Sequence, residues 1–164
     1  MLTRSLPALL ATLLVACGEP TAPETSAPAA APPAAPAPAP APAASLPRTP
    51  APSGASAYII EPTDGAVVSN PVRVVFGLKG IGVVPAGIER ADAGHHHLLI
   101  DTELPPLGLP IPANENHVHF GGGQTETTVT LAPGRHRLQL LLGDHLHVPH
   151  DPPVMSEVVT IEVQ

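Results

Sequence analysis

Apolar side chains recur at alternate positions through the C-terminal two-thirds of the chain. Val72, Val74, Phe76 and Leu78 alternate with Arg73, Val75, Gly77 and Lys79, and Thr127, Val129 and Leu131 alternate with Glu126, Thr128 and Thr130. His136, Leu138, Leu140 and Leu142 make a third such run, and Val159, Ile161 and Val163 a fourth. A period of two sends successive side chains to opposite faces, so each run predicts a strand with one buried face. Shorter strands are predicted near residues 58–60, 95–101 and 117–120, with turns at Asp64-Gly65, Pro133-Gly134 and Asp151-Pro152-Pro153. No stretch sustains a helical period. About seven short strands predict an all-β fold, an immunoglobulin-like antiparallel β-sandwich.

Proline divides the rest of the chain. Twelve of the 24 prolines lie between residues 18 and 55, mixed mainly with Ala, Ser and Thr. The alternation from Pro36 to Pro42 favours polyproline II, because each ring fixes φ and removes an amide donor. This stretch has no apolar periodicity from which to build a core, so it reads as a disordered spacer. Ahead of it, Arg4 and the apolar run from Leu6 to Ala16 read as an export signal. Eleven residues span about 16 Å as a helix, too short for the roughly 30 Å of a bilayer core. The run ends Leu14-Val15-Ala16-Cys17, which resembles a bacterial lipobox with Cys17 as the lipidated residue. Three segments are therefore expected: a lipoprotein signal peptide at 1–16, a lipidated cysteine and Pro/Ala-rich linker at 17–55, and a folded domain at 56–164. The expected location is the cell envelope. The lipid at Cys17 would hold the protein on the membrane, and Gly18, in place of a retention Asp, points to the outer membrane facing the periplasm.

Charge and cysteine content narrow the function classes. Twelve acids face five bases between residues 56 and 164, which argues against nucleic acid as a partner. A single cysteine excludes an internal disulfide and any Cys-based zinc cluster. No GxSxG, HExxH or paired-acid signature is present, and no enzymatic role is expected. Copper–zinc superoxide dismutase also carries an H-x-H pair on a β-sandwich, but its intradomain disulfide cannot form here.

All nine histidines fall between His95 and His150, and six of them make three H-x-H pairs: His95 with His97, His117 with His119, and His145 with His147. Leu98 and Ile100, Val118 and Phe120, and Leu146 and Val148 occupy the opposite parity. On extended segments each pair would share one face, about 6.6 Å apart along the strand, while the apolar residues enter the core. Two imidazoles so placed can converge on one ion, and imidazole suits Cu(II) or Zn(II). The candidate ligands are His95, His97, His117, His119, His145, His147, His150 and Asp151. Asp101 and Asp144 are further carboxylates able to complete a shell or orient a ring. The other reading is a structural network, since a neutral imidazole can both donate and accept. His136 and His96 share parity with buried leucines and read as packing residues, and Met155 as a filler of the core. The proline-bearing stretch 102–116 reads as an ordered loop, and Gly121-Gly122-Gly123 as a tight turn.

The blocks Gly94-His95-His96-His97-Leu98-Leu99-Ile100-Asp101, His117-Val118-His119-Phe120-Gly121-Gly122-Gly123-Gln124-Thr125-Glu126 and Gly143-Asp144-His145-Leu146-His147-Val148-Pro149-His150-Asp151-Pro152-Pro153-Val154-Met155-Ser156 occur in this order. With them, the chain from Tyr58 onward resembles the bacterial domain-of-unknown-function 4399 family. The resemblance implies an exported, often lipid-anchored domain and implies no activity. From the residues themselves, the expected function is binding of a divalent transition metal for storage, delivery or sensing, with a periplasmic protein partner not identified. The alternative is a non-catalytic envelope module that binds a protein or glycan and uses its histidines structurally.

Overall fold

The computed structural model describes residues 44–164. The export signal, Cys17 and most of the Pro/Ala linker lie outside the described residues. Nine strands follow in order: β1 (Ser56–Glu61), β2 (Val67–Val68), β3 (Val72–Lys79), β4 (Gly82–Val83), β5 (Ala93–Ile100), β6 (His117–His119), β7 (Glu126–Val129), β8 (Gly134–Gly143) and β9 (Val159–Val163). No helix occurs among the described residues.

The strands form two sheets. One has the order β1-β3-β7; the other runs β2-β9-β8-β5-β4, with β6 also paired to β5. The alternation predicts which faces meet. Val72, Val74 and Phe76 of β3 and Leu138, Leu140 and Leu142 of β8 are all buried in one core, with Leu98, Ile100, Ile161 and Val163. Burial of each such side chain contributes about 1.5–3 kcal/mol relative to exposure. Both phenylalanines lie here, Phe76 and Phe120, edge to face with ring centroids 4.9 Å apart. The fold is an all-β sandwich. All seven expected strands are present. The two unforeseen ones, β2 and β4, have two residues each and pair in parallel with β9 and β5.

Strand β5 is buried along all eight residues. Its inner face, with Leu98 and Ile100, packs in the main core. Its outer face is also covered, because Leu99 and Leu141 pack with Ile111 from the proline-bearing loop and with Met155. That loop is tied down by hydrogen bonds from Leu46 N–H to the Gly108 carbonyl (2.7 Å) and from Ile111 N–H to the His147 carbonyl (2.8 Å). The sandwich thus has a third, partial layer made of loops, and β5 is its middle.

The expected boundary at Ser56 falls inside the packed region. Residues 46–51 lie along the segment 144–151: Ala51 N–H donates to the Asp151 carbonyl (2.8 Å), and Asp151 N–H donates to the Thr49 carbonyl (2.9 Å). Arg48 donates from Nε to the Pro149 carbonyl at 3.0 Å and from Nη1 to Asp151 Oδ1 at 3.1 Å. Three prolines in seven residues, Pro47, Pro50 and Pro52, made this stretch look like linker. They instead stiffen a strap whose free amides find partners on the domain.

Candidate metal centre

Strand β5 turns its three consecutive histidines to two faces. His96 points inward against Phe76, with ring centroids 5.1 Å apart. His95 and His97 point outward, where they meet a histidine from the neighbouring strand. β6 pairs antiparallel with β5 so that His119 lies opposite His97 and His117 opposite Leu99. Residues directly opposite in a ladder share a face, which brings His119 beside the His95–His97 pair. A fourth ring, His147, arrives from the turn after β8.

The four rings form a tight group. Centroids are 4.8 Å apart for His95–His97, 5.0 Å for His95–His119 and 5.1 Å for His97–His119. His147 lies 4.8 Å from both His95 and His119 and 6.0 Å from His97. One nitrogen each from His95, His97 and His119 falls within a mutual distance of 4.8 Å. Tetrahedral coordination at metal–nitrogen distances of about 2.0–2.1 Å puts ligand nitrogens about 3.4 Å apart. The group is thus more open than a closed tetrahedral site and still close enough to hold an ion.

Among the described residues, buried ring nitrogens without protein partners occur in this group, and also at His96 and His150. Both ring nitrogens of His95 and of His97, and Nε2 of His119, are buried without a hydrogen bond among the described residues. Leaving a buried polar group unpaired costs about 1–3 kcal/mol, and most such groups in native proteins are satisfied. Burial also sets their charge. His97 is pushed down to about 2, first by desolvation and then by repulsion from His95, His119, His147 and His117. His95 is lowered to about 4 by desolvation and by His147 and His119, with Asp144 opposing. His119 is lowered by the same kinds of cause, burial first and His147 second. His95, His97 and His119 are therefore held toward the neutral form near pH 7, the form that coordinates metal.

Local sequence makes room for the cluster. A Cβ at Gly143, which pairs opposite His95, would sit 2.9 Å from His97 Cε1 and 3.2 Å from His147 Cα. One at Gly121 would sit 2.5 Å from His119 Cε1. Two glycines thus hollow the space that the imidazoles fill. Asp144 shapes the turn that delivers His147. It is 2 % exposed, and its Oδ1 accepts from the backbone N–H of Leu146 (2.9 Å) and of Val148 (3.0 Å). Its Oδ2 accepts from the Thr49 hydroxyl at 2.7 Å. Burial opposes ionisation of Asp144, but these donors outweigh it and hold the carboxyl below its ordinary value. His147 N–H closes the turn on the Asp144 carbonyl at 2.9 Å. His147 itself has φ of 66°, a left-handed conformation uncommon outside glycine.

The remaining expected ligands lie elsewhere. His117 Nδ1 is 3.1 Å from Asn114 Oδ1, two residue pairs farther along the ladder from the group. The segment 145–147 is a turn and not a strand, so Leu146 is 50 % exposed and does not enter the core as expected. The two rings of that pair consequently diverge. His145 lines a separate cleft with Glu89, Arg90, Thr49 and Asp144. His150 is fully buried, and its ring lies where a Cβ on Gly94 would project, 2.8 Å from His150 Cε1. Gly94 has the parity of His96, so His150 sits on the opposite face of β5 from His95 and His97. Asp151 is exposed and paired with Arg48. Asp101 bonds His136 Nδ1 at 2.6 Å, and His136 Nε2 bonds the Ala132 carbonyl at 2.8 Å. Asp101 therefore does not serve the cluster, and His136 is a packing residue near the start of β8. The sequence did not single out Arg48, Thr49 or Gly143, and it marked Gly121 only as part of a tight turn; only the Asp at the start of Asp144-His145-Leu146-His147 signals a turn of this kind.

A family model, Domain of unknown function (DUF4399), matches residues 74–164. The match covers more than half of the chain's 164 residues, and the chain belongs to this family. The matched region contains all nine histidines and does not contain the strap at 46–51. Neither the curated proteins nor the solved structures give a match.

Proposed function

We propose that this protein is a cell-envelope metal-binding protein, holding Cu(II) or Zn(II) on the imidazoles of His95, His97 and His119 with His147 as the fourth donor. The observation that carries the reading is the convergence of one ring nitrogen each from His95, His97 and His119 within 4.8 Å of one another. His96 and His150 also lack protein partners for their buried ring nitrogens among the described residues, but only the nitrogens of His95, His97 and His119 converge. The donor set is all nitrogen, which favours Cu(II), Zn(II) or Ni(II) over the oxygen-seeking Mg²⁺ and Ca²⁺. The three converging nitrogens are those of His95, His97 and His119; with His147 proposed as the fourth donor no position is left for a reacting water, and the role we assign is storage, delivery or sensing.

The test is a calorimetric titration of the untagged chain at pH 7, with elemental analysis of the protein as purified. Saturable binding tighter than about 10 μM with one ion per chain is the expected result. Absence of binding by both Cu(II) and Zn(II) would leave the histidines as a costly structural group. The anchor belongs to the same proposal: with Cys17 as the lipid acceptor, Cys17→Ser should move the protein from the membrane to the soluble envelope fraction or leave its signal uncleaved. A Cys17→Ser protein that is processed and still membrane-bound at the original level would refute lipidation there.

A further inference from the structure

We infer that the strap at residues 46–51 is part of the metal site, that Arg48 and Thr49 are positioning residues for His147, and that metal binding in turn fastens the strap. The inference rests on the metal-binding reading and adds to it a regulation by the segment that joins the domain to its linker.

The route from strap to ligand is short. The Thr49 hydroxyl supplies one of three hydrogen bonds to the buried Asp144 carboxylate; the other two come from Leu146 and Val148 N–H, which flank His147. Arg48 holds the next residues by their carbonyls, Pro149 at 3.0 Å through Nε and His150 through Nη2. Ala51 and Thr49 complete the contact by exchanging backbone bonds with Asp151. On its other side the turn is held by Ile111 N–H, which donates to the His147 carbonyl. His147 is the only one of the four rings carried by a turn and not a strand, so it is the ring whose position depends on these bonds. Without Thr49, a carboxylate 2 % exposed loses a donor that it cannot replace from solvent without the turn opening.

Coupling of this kind is reciprocal. Whatever factor strap docking adds to metal affinity, metal binding adds to strap docking. Pro47, Pro50 and Pro52 lower the entropy lost on docking, so a modest factor suffices to change the docked population. The strap continues directly into the linker in sequence. Metal occupancy would thus set how firmly residues 46–51 are docked on the domain.

The test uses Thr49→Val, which keeps shape and removes the hydroxyl, and Thr49→Ser, which restores it. Cu(II) affinity is measured by competition titration and the nitrogen donors are counted by electron paramagnetic resonance. Thr49→Val should weaken Cu(II) binding about tenfold and give the three-nitrogen spectrum expected of His147→Ala, while Thr49→Ser matches the original protein. Hydrogen exchange of the Ala51 amide should slow when Cu(II) is added. If Thr49→Val fails to fold, Arg48→Met tests the same strap and should show the same weakening. An unchanged affinity and spectrum in the valine variant, or Ala51 exchange indifferent to Cu(II), overturns the strap inference alone. Failure of the unmodified chain to bind Cu(II) overturns the metal reading, and this inference with it.

Discussion

His97→Ala is expected to raise the dissociation constant for Cu(II) or Zn(II) by about 100-fold or more. Structural zinc sites with four ligands bind with about 10–16 kcal/mol, so one ligand accounts for about 2.5–4 kcal/mol, and each 1.4 kcal/mol is tenfold. His97 is fully buried and faces three other rings, so truncation also leaves a cavity. His119→Ala, at a half-buried position, separates the two effects and should show the same loss with less destabilisation. His136→Ala is the control. Its ring is engaged by Asp101 and the Ala132 carbonyl, away from the cluster, and its loss should lower the thermal midpoint and leave affinity alone. Equal losses from His119→Ala and His136→Ala in calorimetric titrations at pH 7 would reject the assigned ligands.

Acid should unfold the metal-free protein unusually steeply. Desolvation lowers His96 to about 4, burial and neighbouring rings lower His95 to about 4, and the same causes lower His97 to about 2. In the unfolded chain each titrates near 6.5. Below that value the unfolded state binds protons that the native state does not, so stability falls as pH falls. Each such group contributes a slope of about 1.4 kcal/mol per pH unit, and three together about 4 kcal/mol. A typical domain reserve of about 5–15 kcal/mol would be exhausted within about one to four units below 6.5, placing the acid midpoint between about pH 5 and pH 3. Asp144, held below its ordinary value chiefly by Thr49 and two backbone donors against the opposing effect of burial, adds a loss in the same direction at the acid end. His136 is raised, by its bond to Asp101 first; its contribution is complete below 6.5 and is lost only as pH rises, so it does not offset the slope. Urea unfolding of the metal-free chain at several pH values between 7 and 4.5 measures this directly. His96→Leu should reduce the slope by about a third, and a flat profile would mean that the three imidazoles are not held neutral.

How much of this was legible in the sequence depended on whether alternation survived. The four long runs have it, and β3, β7, β8 and β9 follow. β2 and β4 carry no detectable period at two residues each, because their pairing is set by where the longer strands place them. The H-x-H spacing correctly marked His95 and His97 as sharing a face. It could not show that His119, and not His117, lies opposite His97, because that depends on which residues of β5 and β6 pair. The third pair misled for a different reason. Asp144 accepts two backbone amides within four residues, which bends the chain into a turn and sends His145 and His147 apart. The strap was obscured by composition: a proline-rich stretch resembles linker whether or not its few amides find partners on a domain.

Gly94 has a consequence for the centre that reaches beyond its own packing. The run from His95 to Ile100 offers histidine and apolar side chains to both faces of β5, so its hydrophobic pattern hardly distinguishes one reading frame of the strand from the next. Sliding β5 by a single residue would swap His95 and His97 inward and leave His96 as the only outward imidazole. At Gly94 a Cβ would meet the Gly143 carbonyl oxygen at 2.5 Å and His150 Cε1 at 2.8 Å, and a slide would bring Ala93 or His95 into that place. The residue without a side chain therefore selects which histidines the domain presents, as a single fixed tooth sets the phase of a gear.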